Sequence, residues 1–173
     1  MIKAFCVTAA LSATALPSSA SAAEVFGGLY VHDVKTPLNL SGIEDGLDVQ
    51  LGWRGARIGS TPLQPYVFGA LNTAGETSYA AAGLSAKFGD RIFIRPGLGL
   101  AIHTGSTNDF QSTDRVAFGS RILFEPELGI GARISDRATI EASWVHMSHA
   151  TLFGGQNPGI DNLGVRLSWR LGS

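Results

Sequence analysis

The feature that most limits what this chain can fold into is a period-two alternation of apolar and polar residues, repeated in eight segments of roughly nine to twelve residues. Successive side chains of a strand point to opposite faces, so each segment has one apolar and one polar side. The last shows it most cleanly: Leu163, Val165, Leu167, Trp169 and Leu171 share one face, and Gly164, Arg166, Ser168 and Arg170 the other. Ile92, Ile94, Leu98, Leu100 and Ile102 likewise oppose Arg95 and small residues, while Ile122, Phe124, Leu128 and Ile130 oppose Arg121, Glu125, Glu127 and Arg133. The pattern predicts strands at roughly 24–33, 44–54, 64–72, 77–88, 91–103, 119–134, 137–148 and 160–171, of which the third is the least regular. With 22 glycines and few stretches holding a helical period, the chain reads as all-β.

Alternation alone does not separate a soluble sandwich from a barrel in lipid. Strand length and the N-terminus separate them. Soluble strands typically run to five or six residues, whereas about nine to eleven are needed to cross a bilayer at a tilt. Residues 1–22 read as a secretory signal peptide, with Lys3 as the charge, Ala4 to Leu16 as the apolar stretch and Ala20-Ser21-Ala22 as the cleavage site. Residues 23–173 then form one domain. The sole cysteine, Cys6, falls in the leader, so the exported domain has no disulfide or thiol nucleophile, and its position argues against a lipoprotein anchor. No later apolar run is long enough for a spanning helix. The expectation is an eight-stranded antiparallel transmembrane β-barrel of the bacterial outer membrane, with a soluble sandwich as the alternative.

In such a barrel the inward set holds Asp48, Arg54, Arg95, Arg121, Glu125, Glu127, Arg133, Glu141, Arg166 and Arg170. Eight strands leave room only for side chains, so these charges are expected to pair rather than line a pore. The whole chain is balanced, with 13 basic and 14 acidic residues, and offers no basic field for nucleic acid. Short turns at Gly89-Asp90 and Ser135-Asp136 mark the periplasmic end, and longer connections near 34–43, 104–118 and 149–159 the outer end. The stretch from Arg54 to Pro62 is longer than this rule favours, and Thr73-Ala74-Gly75 shorter.

At the outer end of the seventh strand, His146 and Ser148 stand two residues apart on the face of Trp144, Ala142, Ile140 and Ala138, the face turned to lipid. Asp161 opens the neighbouring strand with the parity of Leu163 and Val165, so it shares that face. A serine hydroxyl becomes a nucleophile when an imidazole takes its proton, and the imidazole needs an acid to set its tautomer. Polar groups on a lipid face are costly and usually functional. The bland reading is that a serine and two histidines cap a loop.

The spacing His146-x-Ser148, followed by Asn157-Pro158-Gly159-Ile160-Asp161-Asn162-Leu163-Gly164-Val165-Arg166, resembles the lipid A 3-O-deacylases, also called acyloxyacyl hydrolases. The resemblance is specific over these residues and architectural elsewhere. It implies a metal- and cofactor-free esterase acting on lipid A of lipopolysaccharide, with Ser148 as nucleophile, His146 as base and Asp161 as acid. It also implies that Asn157 helps bind the oxyanion, to which backbone N–H groups after Ser148 are further candidate donors. The family often has glutamate at the acid, one methylene longer than Asp161, and commonly asparagine where this chain has His149, a residue that alternates away from Ser148 and reads as an interfacial polar group. The alternatives are a non-catalytic structural or adhesive barrel and a lipase or acyltransferase of broader range. Whether two barrels associate as a homodimer is open.

Other candidates are weaker. His32 and His103 end outward strands without the spacing of a metal site and read as loop polarity. Gly97-Leu98-Gly99-Leu100 is a strand pattern, since no helix or lysine follows as in a phosphate loop. Trp53, Trp144 and Trp169 suit an interfacial belt. Glu125 and Glu127 share a face, but the inward arginines make ion pairs the simpler reading.

Overall fold

The computed structural model describes residues 22–37, 39, 42–108, 115–150 and 159–172. The leader up to residue 21, with Cys6, lies outside the described residues, as does Asn157. The strands are β1 (Glu24–Val31), β2 (Leu47–Arg54), β3 (Leu63–Asn72), β4 (Tyr79–Ala86, resuming at Phe88–Gly89), β5 (Ile92–His103), β6 (Ile122–Arg133), β7 (Ala138–Ser148) and β8 (Gly159–Arg170). Phe88–Gly89 is the end of β4, because Phe88↔Ile94 keeps the register set by Tyr79↔His103. Each strand pairs antiparallel with the next, and β1 pairs with β8 from Glu24↔Arg170 to Val31↔Leu163, so the sheet closes on itself. Closure leaves no free sheet edge among the described strands, the condition for placing strands in hydrocarbon.

The faces are those the alternation predicts. Leu163, Val165, Leu167 and Trp169 of β8 are exposed on the outer wall, as are Ile92, Ile94, Leu98, Leu100 and Ile102 of β5. Arg54, Arg95 and Arg166 are among the largest fully buried side chains. They join three carboxylates in a closed ring. Arg54 bonds Glu24 (2.6 Å) and Glu127 (3.3 Å), Arg166 bonds Glu127 (2.8 Å) and Glu141 (3.2 Å), and Arg95 bonds Glu141 (3.2 Å) and Glu24 (2.8 Å). Each arginine thus bridges two carboxylates and each carboxylate two arginines, which is how charges survive out of water. Arg121, Arg133 and Arg170, expected inside, lie near strand ends, where they are exposed or nearly so. Glu125 stands outside the ring and accepts a hydrogen bond from Tyr66. Gly83 and Gly99 make room for that phenol: a Cβ at either position would come within 2.7 Å of its oxygen.

The last residues of β1, β3, β5 and β7 and the first of β2, β4, β6 and β8, which the connections 32–46, 73–78, 104–121 and 149–158 join, lie at one end, and the opposite strand ends, joined by 55–62, 90–91 and 134–137, lie at the other. At the long-connection end the lumen turns apolar, closed by Leu123, Val145, Met147, Ile160, Val116 and Phe118. Above them Glu44 accepts from the backbone N–H of Thr77 (3.1 Å) and Val116 (3.0 Å), joining three connections. His32, read from sequence as loop polarity, is buried between Asp48 (3.0 Å) and Glu44 (3.1 Å). Burial pulls its pKa down, but the hydrogen bonds and charges of Asp48 and Glu44 outweigh that and raise it from 6.5 to about 9. For Glu44, burial raises the pKa and is outweighed by the bonds from His32, Thr77 and Val116, which leave it below its ordinary value.

Two outcomes follow from this arrangement. Arginine at Val165, near the middle of the outer wall, costs about 2–4 kcal/mol of folding stability in a lipid bilayer; in urea titrations in vesicles, a change under about 0.5 kcal/mol would mean that this face does not meet hydrocarbon. The second outcome concerns pH. His32 has a raised folded-state pKa, so its contribution is fully present below 6.5, declines above that and is gone once the pH passes about 9. The difference in urea midpoint between wild type and His32→Gln therefore shrinks over that window, and a difference independent of pH there contradicts the assignment.

Candidate active site

β7 and β8 run side by side with Glu141 opposite Arg166 and His146 opposite Asp161. The two pairs are five residues apart along each strand, an odd step, so the first faces the lumen and the second the outer wall. The register that completes the ion ring is therefore the register that brings the acid to the imidazole. A one-residue slip of either strand would turn its member of each pair to the opposite face and separate both pairs.

On that wall the three predicted residues meet. His146 Nδ1 lies 2.7 Å from Asp161 Oδ1, and His146 Nε2 lies 2.9 Å from Ser148 Oγ. A carboxylate only accepts, so Nδ1 carries the proton in that bond, leaving Nε2 to accept from the serine hydroxyl. This is the tautomer a general base needs. The shorter acid requires no shift of strand or loop, because directly opposed residues have Cβ atoms only about 4.5–5.5 Å apart. Gly159 stands opposite Ser148, and a Cβ there would lie 2.6 Å from the Met147 carbonyl and 3.0 Å from the serine Cβ. On the other flank, the β6–β7 pairing runs from Phe124↔Ser148 to Glu127↔Val145 without the pairs between them, where Pro126 has no N–H to give.

The site is more enclosed than an open lipid face suggests. Asp161 is fully buried and Ser148 is 6% exposed, leaving His146 as the partly open member. Two groups not anticipated for this role cover the acid. Trp144 Nε1 donates to Asp161 Oδ1 (2.9 Å), and its ring stacks on His146 with centroids 5.9 Å apart. Parity already placed Trp144 on the triad's face, although an interfacial anchor was expected. Thr36, in the β1–β2 connection, donates its hydroxyl to Asp161 Oδ2. No periodicity marks a loop residue, so nothing in the sequence pointed to it. His149 is 1% exposed rather than interfacial and sits on the opposite face from Ser148. Ala150 follows at φ 53°, a left-handed turn that ends the strand just past the serine.

Below the triad, Leu128, Ile130, Ala142, Trp144 and Leu163 line an almost wholly apolar depression of about 280 Å³ on the outer wall. A hydroxyl poised on an imidazole at the top of an apolar trough suits acyl transfer from a substrate with a hydrocarbon tail.

The model of the lipid A 3-O-deacylase (PagL) family matches residues 45–170. Among solved structures, the outer membrane enzyme PagL aligns with a TM-score of 0.59 at 20% identity, over 86% of this chain and 99% of its own. A de novo designed transmembrane β-barrel gives 0.58 at 10% identity, over 90% of this chain and 100% of its own. Neisserial surface protein A gives 0.58 at 14% identity, over 89% and 100%. Among curated proteins none matches by sequence. At these identities the structural likenesses establish the barrel alone, and the family match is independent of them.

Proposed function

The chain belongs to the lipid A 3-O-deacylase family, and from that premise we propose that it is an outer-membrane serine esterase that releases the 3-O-linked hydroxyacyl chain of lipid A. The observation that carries the reading is the hydrogen-bonded line Ser148–His146–Asp161 at the long-connection end of a lipid-facing wall. In this reading residues 1–22 direct export, the long connections face outward and the site sits at the depth of the outer leaflet.

Ser148 Oγ attacks the ester carbonyl while His146 Nε2 takes its proton, forming the serine–carbon bond of a tetrahedral intermediate. Asp161 stays ionised and stabilises the imidazolium formed beside it. Collapse of the intermediate breaks the bond to the sugar oxygen, which leaves with the proton from His146. Water, deprotonated by the same nitrogen, then cleaves the acyl-enzyme to a free hydroxy fatty acid and regenerates Ser148. Backbone N–H groups after Ser148 and the amide of Asn157 are the candidate donors to the oxyanion. The apolar trough gives the departing acyl chain a place beside the serine without removing it from a hydrocarbon environment.

Mass spectrometry of lipid A tests the reading. Cells expressing the protein lose one hydroxyacyl mass from lipid A, and Ser148→Ala, still migrating as a heat-modifiable barrel, leaves lipid A intact. Retained deacylation in Ser148→Ala rules out the nucleophile. An unchanged lipid A with the wild-type protein points to a non-catalytic barrel, and loss of acyl groups from phospholipids as well points to a lipase of broader range. Asp161→Asn, which disturbs the histidine's tautomer, lowers kcat by about 10⁴-fold in the manner of other triads; a loss of only a few-fold assigns the orienting role to another acid.

A further inference from the structure

The β1–β2 connection is tied to the start of β8 at successive points. Asp33 N donates to Asn162 Oδ1 (2.9 Å) and Val34 N to the Asp161 carbonyl (2.7 Å), and two residues on, the Thr36 hydroxyl reaches Asp161 Oδ2. His146 and Trp144 both bond Oδ1, so Thr36 is the donor that holds the second carboxylate oxygen. Thr36 is itself held. Its N–H donates to the Asn39 carbonyl (2.8 Å) and its carbonyl accepts from Asn39 N–H (3.2 Å), while the Asn39 amide donates to Asp33 Oδ1 (3.1 Å). Pro37 narrows the backbone choices of Thr36. Asp33, at φ 46°, turns its other oxygen to the N–H groups of Ile43 (2.7 Å) and Glu44 (3.1 Å), which ties the start of the connection to its end. Thr36 also precedes the span matched by the family model, which begins at residue 45.

We propose that Thr36 is a positioning residue of the esterase: through its bond to Asp161 Oδ2 it locks the carboxylate in the plane that keeps Oδ1 on His146, so that the imidazole stays aimed at Ser148. The proposal rests on the triad reading given above. An aspartate side chain has a soft terminal torsion, and with donors at one oxygen only, the carboxylate can turn about it. A donor on each oxygen removes that freedom. The loop does not depend on this bond to stay in place, because the backbone bond from Val34 to Asp161 remains when the hydroxyl is removed. The hydroxyl's effect therefore falls on orientation.

The experiment is steady-state kinetics of the purified, detergent-folded full-length barrel on lipid A, with Thr36→Val and Thr36→Ser in wild-type and Asp161→Asn backgrounds. Loss of one hydrogen bond to a charged group predicts that Thr36→Val lowers kcat by about tenfold with KM within about twofold. Thr36→Ser, which keeps the hydroxyl, restores kcat to within about threefold of wild type. In Asp161→Asn, adding Thr36→Val changes kcat by less than about twofold, because residues that act through one another are not additive. A purely structural loop anchor would instead lower the thermal midpoint and slow both backgrounds by the same factor, and that result overturns the proposal. Unchanged kcat in Thr36→Val alongside an inactive Ser148→Ala overturns it too while leaving the triad standing; an active Ser148→Ala overturns the triad itself. If Thr36→Val gives no heat-modifiable barrel, Thr36→Ala is read against the same outcomes.

Discussion

Six charged side chains in the lumen, Glu24, Arg54, Glu127, Arg166, Glu141 and Arg95, close a ring of alternating sign that draws on β1, β2, β6, β8, β7 and β5. Removing a single member leaves buried charge uncompensated, a cost of about 3–5 kcal/mol for a buried pair. The ring therefore does more than fill space. Outer-wall side chains meet a uniform solvent and say little about register, whereas the ring demands that particular residues face one another. Between β7 and β8 it demands Glu141 opposite Arg166, and five residues on the same ladder delivers His146 opposite Asp161. Chemistry on the outside of the barrel is positioned by electrostatics on the inside.

Much of this was legible in the sequence, and the legible parts share a cause. Alternation is a local property of the chain, so strand positions, the two faces of β5, β6 and β8, and the common parity of His146, Ser148 and Asp161 could all be read directly. What escaped depends on long-range placement. Glu24 begins β1 at the mouth of the lumen, and only closure against Arg54 and Arg95 shows that it belongs to the ring. Trp144 looks like any interfacial tryptophan until its indole is found on Asp161. Alternation correctly turns His149 away from Ser148, but its burial, at 1% exposure, depends on what packs over it beyond the strand. Thr36 lies 125 residues before the acid it contacts, in a connection without any period. The buried site itself was unexpected for the same reason, since a loop covers it.

The comparisons separate scaffold from site. Eight strands closed around packed side chains are a frame, and a fold does not by itself imply an activity. Activity has to come from departures from the frame's plain rule, apolar residues outward. Here those departures are three polar side chains at one end of two neighbouring strands, enclosed by Trp144 and the β1–β2 connection and set above an apolar trough. Asp161 is fully buried and Ser148 nearly so, and in so enclosed a place a carboxylate acts on its neighbours with less screening than in bulk water.

The central claim is that Ser148 is a nucleophile activated by His146 on the lipid-facing wall. The most direct measurement is covalent labelling of the folded barrel with a serine-directed fluorophosphonate, followed by peptide mass spectrometry. The account predicts a single adduct, on Ser148, that is lost in His146→Ala and in the unfolded chain. Labelling of another serine, or an unlabelled Ser148 in a barrel that still deacylates lipid A, would contradict it.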